Sequence, residues 1–279
     1  MEIQKNVPKR SLSLNVALMS ICAGLYAIGS FLTANIPSPW GAGQFRPAVI
    51  IPSLFAVIAG PFPAGIGAAL GTLIADSAKY GRIYEGSLLA AVPGNFLGFY
   101  LFGYITKKKF TWGRFVLASN ITLTLANFVV AVLYVMIFKI FYLADSKYLA
   151  FSSEALVVYI VGLTIWWFVT MLPFVLLVTP VLIRAVSLAF PSFISEDVRK
   201  NSLKSELPQR TFSLALMIPG IIMVIVGLII ALTPMHAQMI AFFKEPTTML
   251  VEGMFYVSGA VLTILGLFIG MRKILNSKH

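Results

Sequence analysis

Charged residues are scarce in this sequence. Only 11% of the 279 residues are charged and 59% are hydrophobic, with a mean hydropathy of +0.91. A soluble globular domain has roughly 25% charged residues, so this composition excludes one. It predicts an all-α polytopic membrane protein in which several apolar helices cross the bilayer.

The residues that build most catalytic and metal sites are also rare. Cys22 is the single cysteine, so no disulfide can form within the chain. The two histidines, His236 and His279, have no His or Cys partner at ligand spacing, so we expect no metal site and no cofactor. The sequence has no Gly-Lys dipeptide and therefore no Walker-type phosphate loop, and it has no Gly-x-Ser-x-Gly elbow. We expect no catalytic residue and no enzyme.

The net charge of +11 is the one feature that would suggest nucleic acid. In a membrane protein such an excess is typical of cytoplasmic loops rich in Lys and Arg. We therefore expect the lipid bilayer, and no nucleic acid, as a partner of the basic residues.

The most unusual stretch of the chain runs from Ile58 to Asp76. Two prolines and a glycine at Gly60–Pro63 predict a turn between two helices, because proline lacks a backbone N–H and disfavours helix in the preceding residue. The chain then continues in small residues and ends at Asp76. Gly67 and Gly71 lie four residues apart, which predicts a smooth face where two helix backbones approach closely in lipid.

Apolar segments along the chain predict eight spans. They lie at residues 12–32, 47–75 (two spans separated by the Gly60–Pro63 turn), 88–105, 115–138, 155–183, 212–232 and 249–270. With both termini in the cytoplasm, most of the 21 lysines and arginines fall on the cytoplasmic side, as the positive-inside rule requires. A single crossing at 47–75 would instead move Lys107–Lys109 and Arg114 outside.

In this topology, polar and aromatic residues collect on the outer face. The candidate substrate-binding residues are Trp40, Gln44, Arg46, Asp76, Lys79, Tyr80, Tyr84 and Glu85, with Asn95 about two turns into the fourth span. Apolar walls with a few placed polar groups are typical of small-molecule pockets. Solvated loops with Tyr and Trp at the membrane interface produce the same pattern, and for any single residue that is the simpler interpretation.

The order of these features resembles the substrate-binding S component of energy-coupling factor (ECF) vitamin transporters. The resemblance rests on a first span with Ala23 and Ala27 in an Ala-xxx-Ala pair, a Pro- and Gly-containing loop at 33–46, an apolar span ending in Gly60-Pro61, and a Gly-rich span that closes on Asp76. It covers about residues 12–184 and implies a six-helix, S-component-like core in a prokaryotic cell membrane. Such a core would bind a small water-soluble vitamin or cofactor precursor from outside, as part of an ATP-driven importer.

The resemblance also implies partners and a division of the chain. The partners would be an ECF transmembrane coupling protein, docked on Ala23 and Ala27, and a cytoplasmic ATPase pair. Residues 1–190 would form the core, 191–211 a cytoplasmic linker, and 212–279 a two-span hairpin that a minimal S component lacks.

The charged residues of the predicted pocket do not decide between an anionic and a cationic ligand. Arg46, Lys79 and Arg82 suit a carboxylate or phosphate, whereas Asp76 and Glu85 suit an amine or ring nitrogen. Two other functions remain open as well. One is an accessory membrane subunit without a ligand of its own, and the other is a stand-alone secondary carrier.

Overall fold

The computed structural model describes residues 11–36, 38, 42–204 and 207–276, and this part of the chain is helical without strands. The helices are α1 Leu12–Leu32, α2 Ile50–Ile58, α3 Pro61–Tyr80, α4 Val92–Lys107, α5 Trp112–Val132, α6 Ser146–Leu149, α7 Ser153–Leu177, α8 Thr179–Ala189, α9 Glu196–Lys204, α10 Gln209–Leu232, α11 Met235–Phe243 and α12 Glu245–Asn276. A 3₁₀ turn, Pro47–Val49, precedes α2. Two segments are wound as π-helix: Ser87–Ala91 leads into α4, and Leu133–Tyr142 continues α5.

Six segments of the described chain are long and apolar enough to cross a membrane. They are Leu12–Leu32, Ser87–Lys107, Trp112–Tyr142, Ser153–Ala189, Gln209–Leu232 and Thr248–Met271. These correspond to the first predicted span and to the last five, so the all-helical, multi-pass prediction is confirmed at this level. The predicted pair at 47–75 is a short apolar helix, Pro47–Ile58, followed by α3.

The predicted break at Gly60–Pro63 is present. Gly60 has φ 94°, a left-handed value that residues with a Cβ rarely adopt, and Pro61 opens α3, where its missing N–H has no helical partner to lose. The small face of α3 packs against α1. A Cβ placed on Gly71 would lie 2.8 Å from the Ala23 carbonyl oxygen, so the two backbones can approach this closely only because glycine stands there.

Region 191–211, predicted as a linker, contains α9 and packs against the start of α5. The Asp197 carboxylate accepts a hydrogen bond from the Phe110 backbone N–H at 2.8 Å, and the Trp112 indole N–H donates to the Asn201 carbonyl at 3.2 Å. After it, α10 and α12 pack along each other, and the Phe212 ring stacks on Phe115 of α5 at 6.5 Å. The C-terminal hairpin is thereby joined to the core through α5.

Candidate functional site

A cavity of about 140 Å³ lies between α1, α3, α4, α5, α7, residues 42–46 before α2 and the two π-helical segments. Its lining combines aromatic rings, side-chain amides and three charged groups. The lining residues are Tyr26, Ala42, Gly43, Gln44, Arg46, Asp76, Lys79, Tyr80, Tyr84, Gly86, Ser87, Ala90, Ala91, Asn95, Asn127, Val130, Tyr134, Trp167 and Met171. Apolar walls with convergent polar groups are the usual composition of a small-molecule site.

Most of the predicted binding residues meet at this cavity. Gln44, Arg46, Asp76, Lys79, Tyr80, Tyr84 and Asn95 all line it. Glu85 does not, because its carboxylate pairs with Arg82 at 2.8 Å on the surface. Trp40 lies outside the described residues.

An ion pair is buried in the wall of the cavity. An Arg46 guanidinium N–H donates to Asp76 Oδ1 at 2.6 Å, and both side chains are only 10% exposed. The guanidinium also donates to the Thr72 hydroxyl one turn earlier on α3. Burial is the largest single influence on the pKa of Arg46 and lowers it, but Asp76 and Tyr26 together outweigh it, so that pKa is raised and the side chain stays charged.

Gln44 connects this pair to Lys79. Its side-chain N–H donates to Asp76 Oδ1 at 2.8 Å, and its carbonyl oxygen accepts from Lys79 Nζ at 3.0 Å. Lys79 also donates to the Ala34 carbonyl at 2.6 Å, at the end of α1. The network therefore ties α1, α3 and the loop before α2 together, and Lys79 has no carboxylate within ion-pair distance in the described part of the chain.

Residues 42–46, which precede α2, are fixed at the cavity by backbone and ring contacts. The Phe45 N–H donates to the Ile36 carbonyl at 2.8 Å, and the Phe45 ring meets Phe174 edge-on at 5.6 Å. Gly43 has φ 76°, and a Cβ there would overlap the Trp167 indole. Glycine at this position lets the loop lie directly on the Trp167 ring.

The opposite rim is aromatic. Tyr80 and Tyr84 stack at 4.2 Å, and Tyr84 meets Phe138 edge-on at 5.6 Å. Burial raises the pKa of Tyr84 to about 12, although a hydrogen bond from Tyr134 works against this shift. The Tyr84 hydroxyl is thus neutral at physiological pH and can donate a hydrogen bond.

Six lining residues with functional side chains were not predicted: Tyr26, Ser87, Asn127, Tyr134, Trp167 and Met171. The sequence does point to Asn127, because an amide in the middle of an apolar span is costly unless it has a hydrogen-bond partner or binds a ligand. Asn120 gives the same signal, but its amide only bonds back to the Val116 carbonyl, so spacing alone does not separate the two. Trp167 and Met171 lie on α7, and which face of α7 meets the cavity depends on tertiary packing.

The two alanines expected to dock a coupling protein lie on the inner side of α1. Ala23 is 4% exposed and Ala27 is 6% exposed, and both belong to the buried face that packs toward α3. In this structure they are not accessible to a partner.

No group of three or more His, Cys, Asp or Glu residues that could hold a metal ion occurs among the described residues. Comparisons of the chain with protein-family models, with curated proteins and with solved structures find no match. Any function therefore has to be inferred from the site itself.

Proposed function

We propose that the chain is the substrate-capture membrane subunit of an ATP-driven importer of the ECF type. It would bind a small water-soluble vitamin or cofactor precursor in the cavity described above. The observation that carries the proposal is a polar and aromatic cavity, lined by five helices and by residues 42–46 before α2, at one end of a membrane bundle. A packed structural subunit has no use for an unpaired amide such as that of Asn95 beside such a space, because buried polar groups are costly unless they find a partner.

The charge distribution favours an outward-facing cavity. Asn95 lies near the beginning of α4 and lines the cavity, whereas Lys107 ends that helix and starts the basic run Lys107–Lys109. Basic loops favour the cytoplasmic side. The cavity then lies at the outer end of the bundle, where a solute can be captured.

Eight crossings fit this orientation and remain part of the proposal. The α3 helix has 20 residues, which at 1.5 Å per residue gives about 30 Å, close to the thickness of the hydrocarbon core. Together with the shorter Pro47–Ile58 it completes a pair of crossings that leaves both termini in the cytoplasm.

The exposed side of α1 offers a place for a coupling subunit. Ala17 and Ser20 are exposed there, and nothing lies within 4 Å of a Cβ built on Gly24. Small residues in this row permit a second helix to approach closely and to separate again without disengaging long side chains. We therefore place the docking face on Ala17, Ser20 and Gly24, with the ATP-hydrolysing subunits on separate chains.

The experiment that tests the proposal is mass spectrometry of small molecules released from the detergent-purified protein. A single compound at about one per chain would support capture and identify the substrate. An empty preparation that gains no thermal stability from a panel of water-soluble vitamins would contradict it and favour an accessory subunit.

A further inference from the structure

The charges and the size of the cavity restrict its ligand further, on the basis of the proposed function. We propose that the site takes a molecule with a single ring and one negative charge, a ring carboxylate, with Lys79 as the partner of the carboxylate. The inference rests on which charged groups in the lining are already paired, on which amides are not, and on the volume available.

Three charged side chains line the cavity, and two of them neutralise each other. Arg46 and Asp76 form the buried pair at 2.6 Å, so a ligand meets them as a neutral unit. Lys79 donates two hydrogen bonds to neutral acceptors, the Ala34 carbonyl and Gln44 Oε1. Its third N–H and its charge are left for a ligand. The lining therefore carries a net charge of +1, which favours a monoanion.

The amine alternative loses its support in the structure. Glu85 is engaged by Arg82 away from the cavity, and Asp76 Oδ1 already accepts hydrogen bonds from Arg46 and Gln44. A cationic ligand would also have to share a small, partly enclosed space with Lys79. Like charges at short distance in a low-dielectric site are strongly unfavourable.

Two amides on neighbouring helices supply polar contacts without charge. Asn95 on α4 is 9% exposed and lines the cavity, and it forms no hydrogen bond within the described part of the chain. Asn127 on α5 is 5% exposed, and its one side-chain hydrogen bond to another described residue is a weak one from Nδ2 to Met171 Sδ at 3.7 Å. A buried amide left unpaired is costly, so these groups are suited to a heteroatom of the ligand.

The volume limits the ligand to about one ring. The cavity measures about 140 Å³, and an engineered protein cavity of about 150 Å³ holds one benzene molecule. The Trp167 indole and the Tyr84 ring are two of the aromatic rings in this lining, and an aromatic lining favours a planar ligand. A bicyclic ring system would exceed this volume.

The test uses matched probes on the full-length protein in detergent. Pyridine-3-carboxylate, pyridine-3-carboxamide and 3-(aminomethyl)pyridine share one ring and differ in charge, and quinoline-3-carboxylate adds a second ring. Isothermal titration should show the first binding at least about tenfold more tightly than the other three. Lys79→Met should weaken binding of pyridine-3-carboxylate by about tenfold or more, and Lys79→Arg should restore part of it.

The control is Lys108→Met, which removes an exposed lysine at the far end of α4 and should leave the affinity unchanged. Preference for the amide or amine, equal binding of the quinoline, or an unchanged affinity in Lys79→Met would overturn this inference while leaving solute capture intact. A larger or cationic compound released from the purified protein would do the same. Failure of every probe, together with a preparation that releases no compound, would overturn the proposed function itself.

Discussion

The buried pair of Arg46 and Asp76 gives the sharpest prediction about stability. Asp76→Asn keeps the shape of the side chain but removes the charge that balances Arg46, whose side chain is only 10% exposed. Removing one partner of a buried ion pair costs about 3–5 kcal/mol, because the remaining charge is left uncompensated. An arginine side chain is not deprotonated in proteins, so the guanidinium does not escape this cost by losing its proton.

A double-mutant cycle separates this electrostatic cost from general damage. Arg46→Met and Asp76→Asn should each destabilise the protein, and the double variant should lose less than the sum of the two, with a coupling of about 3 kcal/mol. The assay is unfolding in detergent by titration with dodecyl sulfate, followed by circular dichroism. The chain also supplies a matched control, the Arg82–Glu85 pair at 2.8 Å, whose arginine side chain is 67% exposed.

The control cycle, Arg82→Met with Glu85→Gln, should show a coupling below about 1 kcal/mol, as surface pairs do. Equal coupling in the two cycles, or a loss of less than about 1 kcal/mol for Asp76→Asn, would refute the view that a buried pair organises this wall of the cavity.

Three further predictions concern Gly43 before α2, the aromatic rim at Tyr84 and the proposed docking face on α1. Gly43→Ala puts a Cβ into the Trp167 indole at a left-handed φ of 76°, so it should cost about 1–3 kcal/mol and weaken ligand affinity, whereas Gly24→Ala, with open space around it, should do neither. Burial raises the pKa of Tyr84 from 10.0 to about 12. The contribution of the Tyr84 hydroxyl to the free energy of unfolding is therefore complete below pH 10 and is lost as pH rises from 10 to 12. Tyr84→Phe should flatten this part of the profile of stability against pH, and Tyr104→Phe, at an exposed tyrosine, should not. Gly24→Leu should abolish co-purification with a coupling protein without changing ligand affinity, and Gly253→Leu, at another helical glycine with open space, should leave both unchanged. Retained co-purification in Gly24→Leu would remove the proposed docking face.

The long helices were predictable because apolar length is a local property. The spans predicted at 88–105 and 249–270 end within a few residues of Ser87–Lys107 and Thr248–Met271. The stretch at 47–75 was harder to interpret, since the small residues of α3 make it less apolar than its neighbours. Its turn was nevertheless predictable, because Gly60 and Pro61 restrict the backbone directly.

The site was predictable where its residues are polar and close to helix ends. Lys79 and Tyr80 end α3, and Asn95 lies in the first turn of α4, so a topology with outward loops already brings them to one side. Glu85 was expected there too, but the nearby Arg82 competes for its carboxylate, and sequence does not show which partner wins. Trp167 was missed because nothing local distinguishes a ring that faces a cavity from one that faces lipid.

Which face of α1 packs inside the bundle was the feature hardest to predict from sequence. Ala23 and Ala27 match a docking pattern, yet Gly71 lets the backbone of α3 pack closely on this side of α1. Two small-residue rows on adjacent faces give the same signal in sequence. Packing against α3 decides which of them remains open.

The most direct test of the central claim is an experimental structure of the purified protein with its released compound, or with pyridine-3-carboxylate, bound. We expect density for the compound in the cavity between Lys79, Asn95 and Trp167, beneath the loop that carries Gly43. A cavity filled by repacked side chains, or a compound bound elsewhere on the protein, would contradict the assignment of this cavity as the capture site.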